Sequence, residues 1–317
     1  MARAPPARGL SVCEIVPSLI GHSYRPSYDG AVLVRNAVSK NAAASAWHSA
    51  SGAVEGTRRH VTDAQIAAIP GWFPSLDVAL FRFFLGEQVR QGESGDLAEM
   101  GVYLGASATL IGGFQQPGET FTVVDLFGDS PPDPENRDEN SRYYESVSQL
   151  AFETNYRNVH HELPVVIRGS STTIRDRAAS GRHRFVHVDA SHEYAHVRED
   201  TETAKDLLAP GGIVVFDDYR CEVFPGVGAA VWPELANGLV PLALSPQKLY
   251  ATWGDPARWQ QSLRAWPEGR RLRARFHRIA GHDVLGVQDE LVRSRLGQLV
   301  PPILVPAAVR ARRLLRF

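Results

Sequence analysis

The segment FVHVDASHEYAHVREDTETAKDLLAPGGIVVFDDY, residues 185–219, leaves few folds open to this chain. An apolar run, Phe185 to Val188, stops abruptly at Asp189. A helical pattern follows and is closed by Gly211-Gly212. A second apolar run, Ile213 to Phe216, stops as abruptly at Asp217 and Asp218. Strand, helix and strand in that order form a βαβ unit, whose two strands must run parallel. The three aspartates then share the carboxyl edge of the sheet, where open α/β sheets bind ligands. Neighbouring strand ends lie about 5 Å apart, so the three carboxylates can converge. Converged carboxylates repel unless protons or a cation neutralise them. An all-oxygen site of this kind suits Mg²⁺, Ca²⁺ or Mn²⁺ better than zinc.

Composition narrows the class of protein. A net charge of −1 gives no electrostatic footprint for nucleic acid. Cys13 and Cys221 make neither a disulfide framework nor a zinc spacing. No window approaches the roughly 18 apolar residues of a membrane helix. The basic, proline-containing start lacks a sustained apolar region, so the chain is read as cytoplasmic and without a signal peptide.

Taken in order, residues 1–60 show no clear period and are expected to be an arm, serving as a cover or an oligomer contact. Residues 61–92 hold two lead-in helices, the second carrying Val78, Leu80, Phe81, Phe84, Leu85 and Val89 at helical spacing. Residues 93–254 are the ligand-binding domain. There, Leu97 to Val102 is a strand, Gly101 and Gly105 make a turn, and a helix starts at Ala106. Phe121 to Leu126 is the second strand, and its Asp125 can accept both hydroxyls of a ribose. This is half of a nucleotide-binding fold, but Gly101-x-x-x-Gly105 is not the dinucleotide fingerprint. Residues 127–142 are acidic and proline-rich and read as a lid or binding loop. Pro164 to Ile167 is a third strand, and Val240–Leu244 with Lys248–Trp253 form a closing antiparallel pair. The expected fold is α/β and Rossmann-like, doubly wound, with a mainly parallel seven-stranded sheet and an antiparallel closing strand. Residues 255–317 are read as a C-terminal extension, strand-like on either side of Gly281-His282, with an apolar then basic tail.

The motifs EMGVYLGAS, VVDLFGD, residues 186–219 and QKLYAT resemble those of class I S-adenosylmethionine-dependent methyltransferases. The resemblance runs from about Gly71 to Asp255, a little over half the chain. It is strongest to the metal-dependent sugar O-methyltransferases of macrolide and aminocoumarin biosynthesis and to cephalosporin-hydroxylase-like proteins. It implies that Glu99, Gly101 and Gly105 line the methionine end of the cofactor, that Asp125 holds the ribose and that Ser170 lies beside the adenine. Asp189, Asp217 and Asp218 match the family's ligands for Mg²⁺ or another divalent cation, and His192 matches its general base. Where some relatives carry glutamate, Asp217 shortens one ligand arm without removing its oxygen.

The chemistry agrees with the residues. A sugar hydroxyl is too weak an acid to attack a methyl group unaided at neutral pH. A chelating cation stabilises the alkoxide, and an imidazole three residues beyond Asp189 titrates in the useful range. Asp189 is the other candidate proton acceptor. The expected partner is a small hydroxylated, sugar-containing acceptor, with the chain a homo-oligomer and no nucleic acid or transmembrane segment involved. Two alternatives stay open: a methyltransferase-fold assembly subunit without turnover, and a nicotinamide oxidoreductase on the same fold. The other histidines, His187 among them, are read as structural or surface residues.

Overall fold

The computed structural model describes residues 60–131, 133–137, 144, 147–270 and 272–289, all within a compact unit, Gly52–Phe317. The expected N-terminal arm and the basic tail lie outside the described residues, as does part of the expected lid.

Two helices lead in. Helix α1 (Asp63–Ala68) opens on a capping box: Thr62 Oγ1 accepts from Gln65 N at 3.2 Å, and Gln65 Oε1 accepts from Thr62 N at 2.8 Å. Helix α2 (Ser75–Arg90) lays an aromatic face on the sheet. Phe81 meets Phe185 edge-on at 5.3 Å, and Phe84 stacks on Tyr250 at 5.1 Å. The helical spacing of apolar residues seen in the sequence is thus core packing.

The sheet follows as β1 (Asp96–Met100), α3 (Ala106–Gly112), β2 (Phe121–Asp125), α4 (Gln149–Arg157), β3 (Val165–Arg168), β4 (His183–Val188), α5 (Tyr194–Leu207), β5 (Leu208–Phe216), α6 (Pro225–Val231), β6 (Val240–Leu244), β7 (Leu249–Thr252), α7 (Ala257–Ala265), β8 (Leu272–Ile279) and β9 (His282–Asp289). Strand order is β3-β2-β1-β4-β5-β7-β6-β9-β8. The first five strands pair in parallel, and β7 runs antiparallel between β5 and β6.

The expectation of seven strands is corrected to nine. Residues 272–289 do form the strands the sequence suggests, but they extend the sheet. Ala280 (φ 47°) and Gly281 (φ 84°) make a tight turn with two left-handed residues, which suits the twist of a hairpin. Strand β9 then pairs in parallel with the free side of β6 through Ala243–Leu285 and Leu244–Gly286. Val284, Leu285 and Val287 are buried there.

Strand alternation sorts the core onto two faces. Leu97, Phe185, Ile213 and Val215 face α2, α3 and α7, whereas Ala98, Met100, Val186, Val188, Val214 and Phe216 face α5 and α6. A fully buried pair, Arg184 and Glu119, ties the strand ends opposite the aspartates. Its two hydrogen bonds are both 2.8 Å, and Gln88 of α2 and the Phe114 carbonyl complete it. No helix among the described residues is long and apolar enough to cross a membrane.

Candidate active site

Six strand ends build the site: those of β1, β2, β3, β4 and β5, and the start of β7. At the end of β1 the chain turns at Gly101 (φ 82°), Tyr103 (φ 51°) and Gly105 (φ 93°), the last being the residue before α3. Gly101 passes so close to β4 that a Cβ there would lie 2.0 Å from the Asp189 carbonyl oxygen. Only glycine allows both that approach and that backbone angle. Asp125 braces the turn: Oδ2 accepts from the N–H groups of Val102 (2.7 Å) and Tyr103 (2.9 Å), and Oδ1 from Phe127 N (2.7 Å). Burial still pushes the Asp125 carboxyl up, against those three hydrogen bonds.

Two clefts open along this edge. The first, about 850 Å³, is lined by Gly101, Asp125, Asp133, Ser170, Ser171 and His196 among others. The second, about 1080 Å³, is lined by Trp72, Phe73, His192, Asp217, Asp218, Phe224 and Lys248 among others. Gly101, Tyr103, Tyr144 and Asp189 border both. Gly101, Asp125 and Ser170 are therefore brought to one cleft, and Asp133 and Asn136 place part of the 127–142 loop beside it. Gly105 sets the start of α3 and packs on Phe152 without bordering either cleft. Glu99 borders neither as well. It is fully buried, bonded to the Ser107 hydroxyl and to His187 Nδ1 (2.7 Å), and reaches the second cleft only through Ser107.

The acidic cluster is organised differently from a simple triad of aspartates. Among the described residues, the group whose ligand atoms all lie within 4.8 Å of one another is His187, Asp189 and Asp217. Asp218, held at φ 47°, points its Oδ2 to 3.4 Å from His192 Nε2. The His192 ring stacks on Phe224 with centroids 4.1 Å apart and planes 19° apart, which fixes the imidazole at the wall of the second cleft. At the centre of the cluster stands Lys248. Its Nζ is in direct contact with Asp217 Oδ2, 3.2 Å from His187 Nε2 and 3.8 Å from Asp189 Oδ2.

The charges follow from this packing. Burial and the like charge of Asp217 push the Asp189 carboxyl well above its ordinary range, against the pull of Lys248. Burial also acts to raise Asp217, but the Lys248 ammonium, with His187, more than offsets it and the net direction is down. Burial and the adjacent ammonium lower His187, keeping it neutral between Glu99 and Lys248. Burial disfavours the Lys248 ammonium, yet Asp217, Asp189 and Asp77 together hold it above an ordinary lysine.

The sequence reading missed Lys248, His187 and Asp77. One signal was available for His187. Glu99 and His187 are polar residues within the apolar stretches of two central strands, and they sit in register across the β1–β4 ladder. Lys248 carries no such signal, since its partners lie on β4 and beyond β5.

Residues 98–219 match the sequence model of a methyltransferase domain. No curated protein matches the chain significantly. Among solved structures it is similar to the O-methyltransferase NovP, with 18% identity and a TM-score of 0.47 over 56% of this chain and 81% of that one. It is also similar to CalS11, a TDP-rhamnose 3'-O-methyltransferase of calicheamicin biosynthesis, with 18% identity and a TM-score of 0.39 over 58% of this chain and 82% of that one. A third is MycE, a methyltransferase of the mycinamycin pathway solved with Mg, SAH and mycinamycin VI, with 18% identity and a TM-score of 0.39 over 59% of this chain and 52% of that one. The matched segment runs from β1 to just past the paired aspartates that end β5, and so contains most of the strand ends that form the two clefts: this part of the chain is similar to a methyltransferase domain.

Proposed function

We propose that this protein methylates a hydroxyl on a sugar or a glycosylated small molecule, using S-adenosylmethionine and a divalent cation such as Mg²⁺. The observation that carries this reading is the meeting of the two clefts at Gly101, Tyr103 and Asp189, with His192 on the acceptor side. The first cleft fits the cofactor: it has a turn that a Cβ at Gly101 would block and a carboxylate, Asp125, with about one acceptor site left for a hydroxyl, on Oδ1. The second fits an acceptor with a flat apolar face. Trp72 and Tyr103 stand 5.3 Å apart at its rim, and Trp72 is 63% exposed.

The donor set also fits a hard cation. Asp189 and Asp217 offer carboxylate oxygens at two adjacent strand ends, with His187 beside them and one fixed cation, Lys248, among them, while Asp218 is turned to His192. When bound, the cofactor supplies an electrophilic methyl group on sulfur, and the divalent ion supplies charge stabilisation for a deprotonated hydroxyl. The chain's own residues do the rest. Tyr103 and Trp72 orient the acceptor, and Gly101 lets it approach the cofactor cleft. The His192 imidazole, at the wall of the second cleft, takes the hydroxyl proton, and Asp218, 3.4 Å from Nε2, stabilises the imidazolium that results. Positioning a nucleophile in line with the methyl group is then the main requirement.

The test is twofold. Isothermal titration with S-adenosylmethionine is expected to show binding below millimolar concentration; no binding by folded protein rejects the reading. Methyl transfer from labelled cofactor to a panel of sugar nucleotides and glycosides, with and without EDTA, then tests the acceptor class and the metal. Transfer that EDTA leaves unchanged removes the metal from the proposal.

A further inference from the structure

Lys248 is one of three lysines in the chain, and its side chain is 1% exposed in the floor of the acceptor cleft. It is hemmed in by His187 on one side and by the Phe73 ring, 5.9 Å from Nζ, on another. Its ammonium sits among His187, Asp189 and Asp217, the group best converged to hold a metal ion. A divalent ion drawn to the same carboxylates meets a fixed positive charge within a few ångströms, in surroundings where screening by water is weak. The candidate for a second berth is a third buried carboxylate. Asp77 of α2 is fully buried, and its Oδ1 accepts from the Tyr250 hydroxyl at 2.8 Å. Its Oδ2 has no hydrogen-bond partner among the described residues, an uncommon state for a buried carboxylate oxygen. Asp77 is coupled electrostatically to Lys248.

Resting on the metal reading above, we infer that Lys248 is a built-in cation that competes with the divalent ion for Asp189 and Asp217, and that Asp77 receives the ammonium when the metal loads. Lys248 therefore sets the metal concentration at which the site fills. In the absence of metal it also keeps the two carboxylates from repelling each other.

The probe is Mn²⁺, titrated into the full chain and followed by electron paramagnetic resonance of the free ion at low ionic strength. Lys248→Met is expected to bind Mn²⁺ about ten-fold or more tightly than the unaltered chain, because a like charge has been removed from the site. Asp77→Asn, which keeps an acceptor for Tyr250 but loses its charge, is expected to weaken binding several-fold. Asp189→Asn reports on the metal site itself. If Asp189→Asn loses Mn²⁺ while Lys248→Met binds within two-fold of the unaltered chain, the competition is refuted and the metal reading stands. If no chain binds Mn²⁺, the metal reading fails and the competition with it. If only Lys248→Met binds, the lysine has displaced the metal outright in the natural chain; the competition stands and the metal reading fails. Should Lys248→Met not melt cooperatively, Lys248→Gln takes its place, and Asp77→Asn binding as tightly as the unaltered chain refutes the second berth independently.

Discussion

Replacing Gly101 with alanine isolates the close crossing of β1 and β4. The new Cβ would lie 2.0 Å from the Asp189 carbonyl oxygen, 2.5 Å from its carbon and 2.7 Å from Ala190 Cα. Moving that oxygen to an ordinary contact distance takes a shift of about 1 Å, a severe overpacking of a dense interior. The backbone resists it. Gly101 N donates to Val124 O, and Asp189 N donates to Met100 O, both at 2.8 Å. A φ of 82° adds the left-handed penalty, about 1–2 kcal/mol. Overpacking adds about 1–3 kcal/mol. The sum, about 2–5 kcal/mol, lowers Tm by roughly 4–20 °C for a domain of this size. Gly118→Ala is the control: its φ is 86°, and no atom lies within 4 Å of where its Cβ would stand, so it carries the backbone penalty alone. Thermal melts of the two variants, with S-adenosylmethionine titrations, make the assay. Gly101→Ala is expected to melt several degrees below Gly118→Ala and to bind the cofactor at least about ten-fold more weakly, since the shift deforms the boundary of both clefts. Equal melting temperatures for the two variants would refute the crossing as the constraint.

His192→Ala should lower turnover by about 10²–10⁴ while leaving cofactor affinity unchanged; full turnover in a single-turnover assay would move the proton-accepting role to Asp189. Asp200, buried in α5, has its carboxyl pushed up to about 7 from 3.8, chiefly by burial. The raised value means that the proton stabilises the fold: the contribution is complete below pH 3.8 and is lost as pH rises through about 7. Asp200→Asn should therefore lose Tm less steeply between pH 5 and 7 than the natural chain, and parallel declines in both would contradict that role for the proton. Glu119→Ala strands a buried guanidinium and should cost about 3–5 kcal/mol in urea denaturation, with Glu119→Ala and Arg184→Met together costing less than Glu119→Ala alone.

The parallel centre of the sheet was legible because its strands are apolar runs cut off by acids or glycine. Phe185–Val188 and Ile213–Phe216 are buried on both faces, as a strand covered by helices on each side must be. The convergence of Gly101, Asp125, Ser170, Asp189 and His192 on adjoining clefts followed from topology, since parallel strands put all their carboxyl ends on one edge. The arrangement within the acidic cluster did not follow. Whether Asp218 joins its neighbour or turns to His192 depends on a single backbone residue held at φ 47°, and no local pattern announces that. Lys248 follows a Ser-Pro turn and precedes a short apolar strand, so it reads as a solvated strand-start residue. Its burial arises only because β7 inserts beside β5, bringing it against Asp217. The hairpin of β8 and β9 was visible as local alternation, but its membership in the sheet depends on the free side of β6, far from it in the chain.

That hairpin bears on how the protein can be trimmed. The recognisable methyltransferase segment ends at residue 219, and a shortened form would naturally be cut after β7 or α7. Strand β6, VPLAL, would then become the last strand of the sheet, with four of its five residues buried in the intact fold. Losing β9 would leave its backbone N–H and C=O groups unpaired along an apolar border, the kind of surface that templates cross-chain strand addition. Among the described residues the border is instead β8, whose exposed side chains include Arg273, Arg275 and Arg278. Charged side chains on a terminal strand discourage such stacking. A shortened form that keeps the β6 border covered therefore has to run through residue 289.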